Sequence, residues 1–155
     1  MRGPCRSTRQ IPDASLVLQA PYAISIEFQG SDVVIHHELQ NTIRRIPLRP
    51  DRGSQPPQAT VNTTARLEDG ALIVETTGVD SFAFAPLGAV TTEGLRVVER
   101  YIPDPDDPDR LEYEVELNDP GAFRSPLVML QPRVRIGGEI YVGEPCEVMY
   151  EESGR

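Results

Sequence analysis

Glu99 is the residue of this sequence whose position most suggests chemistry. In LRVVERYI (95–102) it shares alternate positions with Leu95, Val97 and Tyr101. Successive side chains of a β-strand point to opposite faces, and this set carries fewer charges than the other, so it is predicted to face the interior. A carboxylate there must find a cationic partner or raise its pKa, and a carboxyl with a raised pKa can serve as a general acid or base.

Two adjacent histidines, His36 and His37, stand in VVIHHEL (33–39). By the same parity His37 is predicted to face the interior together with Val33 and Ile35, while His36 lies on the other side. The two rings therefore point apart and cannot bind one metal ion, and no CxxC or HxH pattern supplies another site. The sequence predicts neither a metal nor a cofactor.

Arg44 and Tyr113 complete the interior polar set, which comprises His37, Arg44, Glu99, Tyr101 and Tyr113. This set predicts a ligand cavity with a few convergent polar groups. Its candidate catalytic residues are Glu99, His37 and Tyr101. Two alternatives stay open: a structural salt bridge with tyrosine hydroxyls beside it, or a one-residue slip of register that turns Glu99 outward.

The candidate ligand-binding residues are Arg44, Tyr113, Phe82 and Phe84. Arg44 could hold an anionic group of a ligand. The two phenylalanines stand in GVDSFAFAPLGAVTTEG (78–94), a long connection in which they could cover an open sheet edge or plug the mouth of a cavity.

The elements that must position these residues read as eight or nine short strands without helical periodicity. The clearest signal is Asp69-Gly70 between TVNTTARLE and ALIVETT, because a type I′ hairpin turn needs positive φ at both central residues. Short turns imply antiparallel neighbours. We therefore predict an all-β, single-domain antiparallel β-barrel of the lipocalin-like (calycin) kind, with a two-layer β-sandwich as the alternative.

The hairpin VVERYIPDPDDPDRLEYEVEL (97–117) carries acidic residues along one side and at its tip. In RLEYEVELN (110–118) the apolar residues alternate with Glu112, Glu114 and Glu116, so the carboxylates are predicted to lie in solvent. The aspartates of PDPDDPD offer oxygen ligands for calcium, but prolines stand where a calcium loop needs a glycine and a bidentate acid. A rigid, soluble hairpin tip is the prediction for this stretch.

The composition limits the classes of partner that the protein is expected to bind. The chain has 155 residues and a formal net charge of -9, which disfavours nucleic acid and anionic membranes because both require a basic surface. We expect an N-terminal arm over residues 1–20 and one domain over 21–155. No apolar stretch is long enough for a membrane helix, and the N-terminus lacks a secretion signal, so the chain as written is expected in the cytoplasm, or in a secreted or periplasmic location if it is a processed form.

Several segments together resemble a family of mostly secreted bacterial proteins of uncharacterised function. The segments are PYAISIEF, IRRIPL, ARLEDGALIVETTGVD, LRVVERY and RLEYEVELNDPGAFRSPL. The resemblance covers roughly residues 20–130, and Cys5 and Cys146 lie about where that family has cysteines. It implies a disulfide between them and an exported location, but no activity. The chain departs from the family pattern at Val61-Asn62, Thr91-Thr92 and Leu127.

The resulting functional expectation is that the protein binds a small apolar or amphipathic molecule inside the β-barrel, without nucleic acid or membrane as partner. One alternative is a cavity-based isomerase, cyclase or hydro-lyase that uses Glu99 or His37 as acid or base. Another is a filled barrel that acts as an interaction module, with a homodimer left open.

Overall fold

The structure of the protein is a computed structural model that describes residues 22–38, 42–49, 62–79, 81, 83–84 and 89–138. The described chain is all-β, as predicted, and contains no helix within these ranges. Its strands are β1 (Ile24–Gln29), β2 (Asp32–His37), β3 (Thr42–Pro47), β4 (Asn62–Glu68), β5 (Ala71–Thr77), β6 (Ala83–Phe84), β7 (Ala89–Val90), β8 (Arg96–Pro103), β9 (Arg110–Asn118) and β10 (Leu127–Val134).

A three-stranded antiparallel sheet has the order β1-β2-β3. The β1–β2 hairpin turns at Gly30, whose φ of 63° lies in the left-handed region that glycine adopts without steric cost. The last residue of β3, Pro47, stands opposite Asp32. The β2–β3 ladder ends at this pair, because proline has no backbone N–H to donate, although the next N–H, that of Leu48, still donates to the Ser31 carbonyl oxygen at 2.8 Å.

A five-stranded antiparallel sheet has the order β10-β9-β8-β5-β4. The predicted hairpin between β4 and β5 is confirmed, because Asp69 and Gly70 have φ values of 52° and 82°, the positive pair that a type I′ turn requires. Strand β8 pairs with β5 of this hairpin on one side and with β9 on the other, where the two strands form the acidic hairpin β8–β9. The small strands β6 and β7 form a separate two-stranded ladder.

The predicted closure into a barrel is wrong for the described strands: the sheets of three and five strands do not form a closed ring. On one side they touch through a single parallel bridge between Leu48 and Ala65. On the other side, Arg133 of β10 donates to the Tyr22 carbonyl oxygen at 3.1 Å, but β1 and β10 share no ladder in the described chain. Closure needs a long-range pairing of first and last strands, which local alternation does not encode.

One hydrophobic core lies between the two sheets. The small sheet contributes fully buried residues such as Val33 and Ile35, and the large sheet contributes others such as Val74, Val97 and Val115. These residues occupy alternate positions of their strands, so each sheet buries one face.

Asp119 fastens the start of β8 to the turn that follows β9. Its carboxylate accepts hydrogen bonds from the Thr92 backbone N–H (2.6 Å), the Thr92 hydroxyl (2.7 Å) and the Gly121 N–H (3.1 Å). A Cβ at Gly121 would lie 2.9 Å from Thr92 Cγ2, so this approach requires glycine. These hydrogen bonds to Asp119 fix where β8 begins and thereby the position of Glu99 along the sheet.

Several predictions fall on residues outside the described ranges: the arm over 1–20, Cys5, Cys146 and Phe82. Among the described residues, no helix is long and apolar enough to cross a membrane.

Candidate functional site

Glu99 lies at the centre of a buried cluster between the sheets, with 0% of its surface exposed. Arg44 donates to both of its oxygens, from Nη1 to Oε1 at 3.0 Å and from Nη2 to Oε2 at 2.7 Å. The hydroxyls of Tyr101 and Tyr113 each donate to Oε1 at 2.9 Å. The carboxylate thus accepts four hydrogen bonds, two of them in the bidentate geometry that makes arginine–carboxylate pairs strong.

Strand register explains how these side chains meet. Tyr101 of β8 stands directly opposite Tyr113 of β9, and their rings stack with centroids 4.8 Å apart. Glu99 lies two residues before Tyr101 and therefore shares its face. Arg44 comes from β3 in the other sheet, opposite Ile35 of β2. The ion pair consequently joins the two sheets across the core.

The electrostatics of the cluster follow from burial and from the ion pair. Burial alone would raise the pKa of Glu99, but the Arg44 charge and the hydrogen bonds from Arg44, Tyr101 and Tyr113 outweigh it, so the pKa lies below its usual range. Burial and the Glu99 charge raise the pKa of Tyr101 and of Tyr113 well above that of a free tyrosine. Glu99 is therefore ionised at neutral pH, and both tyrosines hold their protons.

His37 is buried at the end of β2, on the interior face that the sequence predicts, with 5% of its surface exposed. Its Nε2 has no hydrogen-bond partner within the described part of the chain. Burial and the positive charge of Arg44 lower its pKa to about 4, so the ring is neutral at pH 7. An unpartnered buried polar atom typically costs about 1–3 kcal/mol. Such atoms are few in native proteins, and each one requires an explanation.

Arg133 of β10 extends the cluster and is not among the site residues that the sequence predicts. Its guanidinium carbon lies 5.6 Å from the centroid of the Tyr113 ring, within the range of a cation–π contact. It donates to the Tyr22 carbonyl and, at 3.0 Å, to Gln131 Oε1. Its Nε is buried and has no partner among the described residues. The signal that could have found it is the pairing of Gln131 with Tyr113, which sets the parity of β10.

The structure brings five of the seven predicted site residues together, namely His37, Arg44, Glu99, Tyr101 and Tyr113. The arrangement matches the alternative of a satisfied salt bridge with adjacent tyrosine hydroxyls, and His37 lies next to it rather than in its hydrogen-bond network. Of the remaining two, Phe84 belongs to β6 by its backbone, and Phe82 lies outside the described ranges. Their roles as ligand contacts stay predictions.

The outer face of the large sheet carries a second polar cluster, which we call the outer ion-pair layer. It consists of Arg66, Glu68, Glu75, Arg96, Arg100, Glu114 and Glu116. Arg100 pairs with both Glu114 and Glu116. These two carboxylates are half-buried, whereas the sequence predicts that they lie in solvent. Val98, on the same face, is buried with Ala71 and Ile73 in a small apolar cluster.

At the hairpin tip, aspartates bind the backbone. Asp104 Oδ1 accepts hydrogen bonds from the N–H groups of Asp106 (2.9 Å) and Asp107 (3.2 Å). Asp107 also pairs with Arg110 at 2.9 Å. In the described part of the chain, no three His, Cys, Asp or Glu side chains are grouped so that they could hold a metal ion.

Comparisons of the chain with protein-family models, with curated proteins and with solved structures give no match. The family resemblance of the sequence segments stays a prediction.

Proposed function

We propose that the protein binds a small amphipathic molecule between the sheets of a two-layer β-sandwich, with the polar end of the ligand at His37. The observation that carries this proposal is the buried, unpartnered Nε2 of His37 on the interior face of β2. A ligand group that bonds this atom would relieve an otherwise unfavourable burial. The apolar part would contact partly buried side chains at the edge of the core, such as Ile24, which stands opposite His37.

The geometry favours binding over the alternative of acid–base catalysis by Glu99. Its oxygens already accept four hydrogen bonds, and its pKa lies below the ordinary range. A general base must take a proton from the substrate, and a low pKa weakens that ability. Tyr101 has a raised pKa, and its hydroxyl donates a hydrogen bond to Glu99. It is therefore equally poorly placed to transfer its proton to a substrate.

Native mass spectrometry of the full chain with octanoate and octan-1-ol tests the proposal. The wild type should form a one-to-one adduct with at least one of these probes. His37→Leu should weaken the adduct because it removes Nε2 while keeping an apolar side chain, whereas His36→Leu, on the opposite face of the same strand, should retain it. Circular dichroism checks that both variants fold. Absence of any adduct with the wild type, or equal loss in both variants, would contradict the proposal.

An exposed apolar stripe on β10 favours a second candidate function, association of two copies of the chain. Val128, Leu130 and Val134 share the outer face of this strand, with exposures of 54%, 58% and 62%. In the described chain, β10 pairs only with β9, so its other edge is open. Two identical open edges can pair antiparallel about a two-fold axis, which brings the same stripe from both copies together.

Sedimentation equilibrium tests this second candidate. Leu130→Lys should convert a wild-type dimer into a monomer, because the introduced charge would be buried in the contact. Leu67→Lys is the matched control, since Leu67 is 57% exposed on β4, at the far end of the sheet. A monomeric wild type, or a dimer that survives Leu130→Lys, would exclude association through this stripe.

A further inference from the structure

Arg133 differs from the other interior or half-buried arginines of the described chain. Four of them have a carboxylate within 4 Å, namely Arg44, Arg66, Arg96 and Arg100. Arg133 is half-buried, but its hydrogen-bond partners among the described residues are neutral oxygens, the Tyr22 carbonyl and the Gln131 side chain. No ion pair joins it to a carboxylate within the described residues.

The charges that the described residues direct into the interior do not balance. Arg44 and Glu99 neutralise each other through their bidentate contact. Arg133, stacked over Tyr113, then leaves one positive charge in excess beside the neutral His37. A half-buried charge in excess favours an anionic partner, because low polarity around it strengthens the attraction.

Nε2 of His37 and Nε of Arg133 are both buried at this place, and neither has a hydrogen-bond partner among the described residues. They belong to different sheets, but Arg133 donates to the carbonyl oxygen of Tyr22, two residues before Ile24, which pairs with His37. The Arg133 charge also contributes, as the smallest cause, to the lowered pKa of His37. With its ring proton on Nε2, His37 can donate one hydrogen bond, and the Arg133 Nε–H can donate a second. Two donors and one excess charge match the two oxygens and single charge of a carboxylate.

We propose that His37 and Arg133 together form a receptor for the carboxylate head of the ligand, so that the protein selects amphipathic monoacids over alcohols and amines of the same length. This inference rests on the proposed function, because it names the chemical class of the molecule that the interior binds. Arg133 supplies the charge, and His37 fixes the position of the head relative to the apolar core.

Titration calorimetry with octanoate, octan-1-ol and octylammonium tests the inference, because the three probes share one tail. Octanoate should bind wild type about tenfold or more tighter than octan-1-ol, as expected for one charge-assisted contact. Arg133→Gln should reduce octanoate binding to the level of octan-1-ol and leave octan-1-ol unchanged. Arg124→Gln removes the same charge from an exposed turn and should keep the wild-type preference.

A second readout follows His37 itself. The chain has only two histidines, so His36→Gln assigns their side-chain NMR signals without ambiguity. The charged groups that act on His37 from the interior are Arg44, Glu99 and Arg133, and the titratable neighbour on its own strand is His36, on the opposite face. Saturation with octanoate should raise the pKa of His37, because a bound anion offsets the two arginines.

The outcomes separate the two proposals. If octan-1-ol or octylammonium binds as tightly as octanoate, the carboxylate receptor is wrong and interior binding stands. If Arg133→Gln weakens all three probes equally, Arg133 acts through the fold and the receptor is again wrong. If none of the probes binds wild type, the proposed function fails and the receptor with it.

Discussion

The protein uses the same residue types in two different ways on the two faces of its large sheet. On the inner face, Arg44 and Glu99 form one ion pair that is almost completely buried, with side-chain exposures of 2% and 0%. On the outer face, Arg96 and Glu75 form a bidentate pair of similar geometry, with distances of 2.7 and 2.8 Å, but exposures of 42% and 29%. Geometry is thus nearly constant, and burial is what changes.

Burial determines which of these ion pairs the fold depends on. Water can solvate either partner of an outer pair once the other is removed, so such pairs usually contribute up to about 1 kcal/mol. Neither partner of the inner pair has that option, and the loss of one leaves an uncompensated charge between the sheets. The inner pair should therefore determine how the two sheets pack against each other. The outer ion-pair layer mainly covers Val98 and its apolar neighbours.

Glu99→Gln should have the largest effect of the single substitutions considered. It leaves the Arg44 guanidinium buried without a counter-charge, and we expect a loss of about 3–5 kcal/mol in the free energy of unfolding. Urea denaturation followed by circular dichroism measures this loss. Glu116→Gln is the control, because it removes a carboxylate that contacts Arg100 on the outer face.

Replacing both partners sharpens the same test. Arg44→Met with Glu99→Leu removes both charges and retains apolar volume, so the double variant should recover much of the stability lost in Glu99→Gln. If Glu99→Gln lowers the free energy of unfolding no more than Glu116→Gln does, burial does not determine the strength of the ion pairs on the two faces.

Much of the inner face could be predicted from the sequence because alternation on β8 and β9 is strongly one-sided. The apolar residues at alternate positions of the same strands predict an interior location for Glu99, Tyr101 and Tyr113, and all three are buried. The turn at Asp69-Gly70 was equally clear, since its chemistry is local. Strand type, turn type and side-chain parity are all short-range properties, and the predictions based on them agree with the structure.

The features that the sequence does not predict depend on long-range pairing. In β10 both alternate sets contain apolar residues, and the more apolar set, with Val128 and Leu130, points to solvent. Parity alone would have turned Arg133 outward; only the pairing of β10 with β9 places it inside. Barrel closure failed for the same reason, because no local pattern states whether the first strand meets the last.

The pH dependence of stability tests the inner face by a different route. The pKa of His37 falls from 6.5 to about 4 on folding, mainly because of burial and also because of Arg44. Between these values the unfolded chain binds the additional proton, so stability rises with pH across this window and falls as the pH drops from 7 towards 4, by up to about 3 kcal/mol. Denaturation curves at several pH values should show that His37→Gln has a flatter profile than wild type.

His36→Gln serves as the matched control for that profile, because His36 lies on the opposite, half-exposed face of β2. Its stability should follow the wild-type pH dependence. A steep profile that persists in His37→Gln would show that His37 does not titrate as its buried position requires, and the distinction between inner and outer groups would lose one of its supports.

Arg96→Gln should have the smallest effect, about 1 kcal/mol or less, because water replaces its lost contacts on the outer face. Hydrogen bonds from Arg96 hold the pKa of Glu75 below its usual range, although burial opposes them. Because both side chains are partly exposed, water screens their attraction. A double-mutant cycle with Glu75→Gln should give a coupling energy that decreases as salt is added. A coupling as large as the loss in Glu99→Gln, and insensitive to salt, would mean that bidentate geometry rather than burial sets the strength of both pairs.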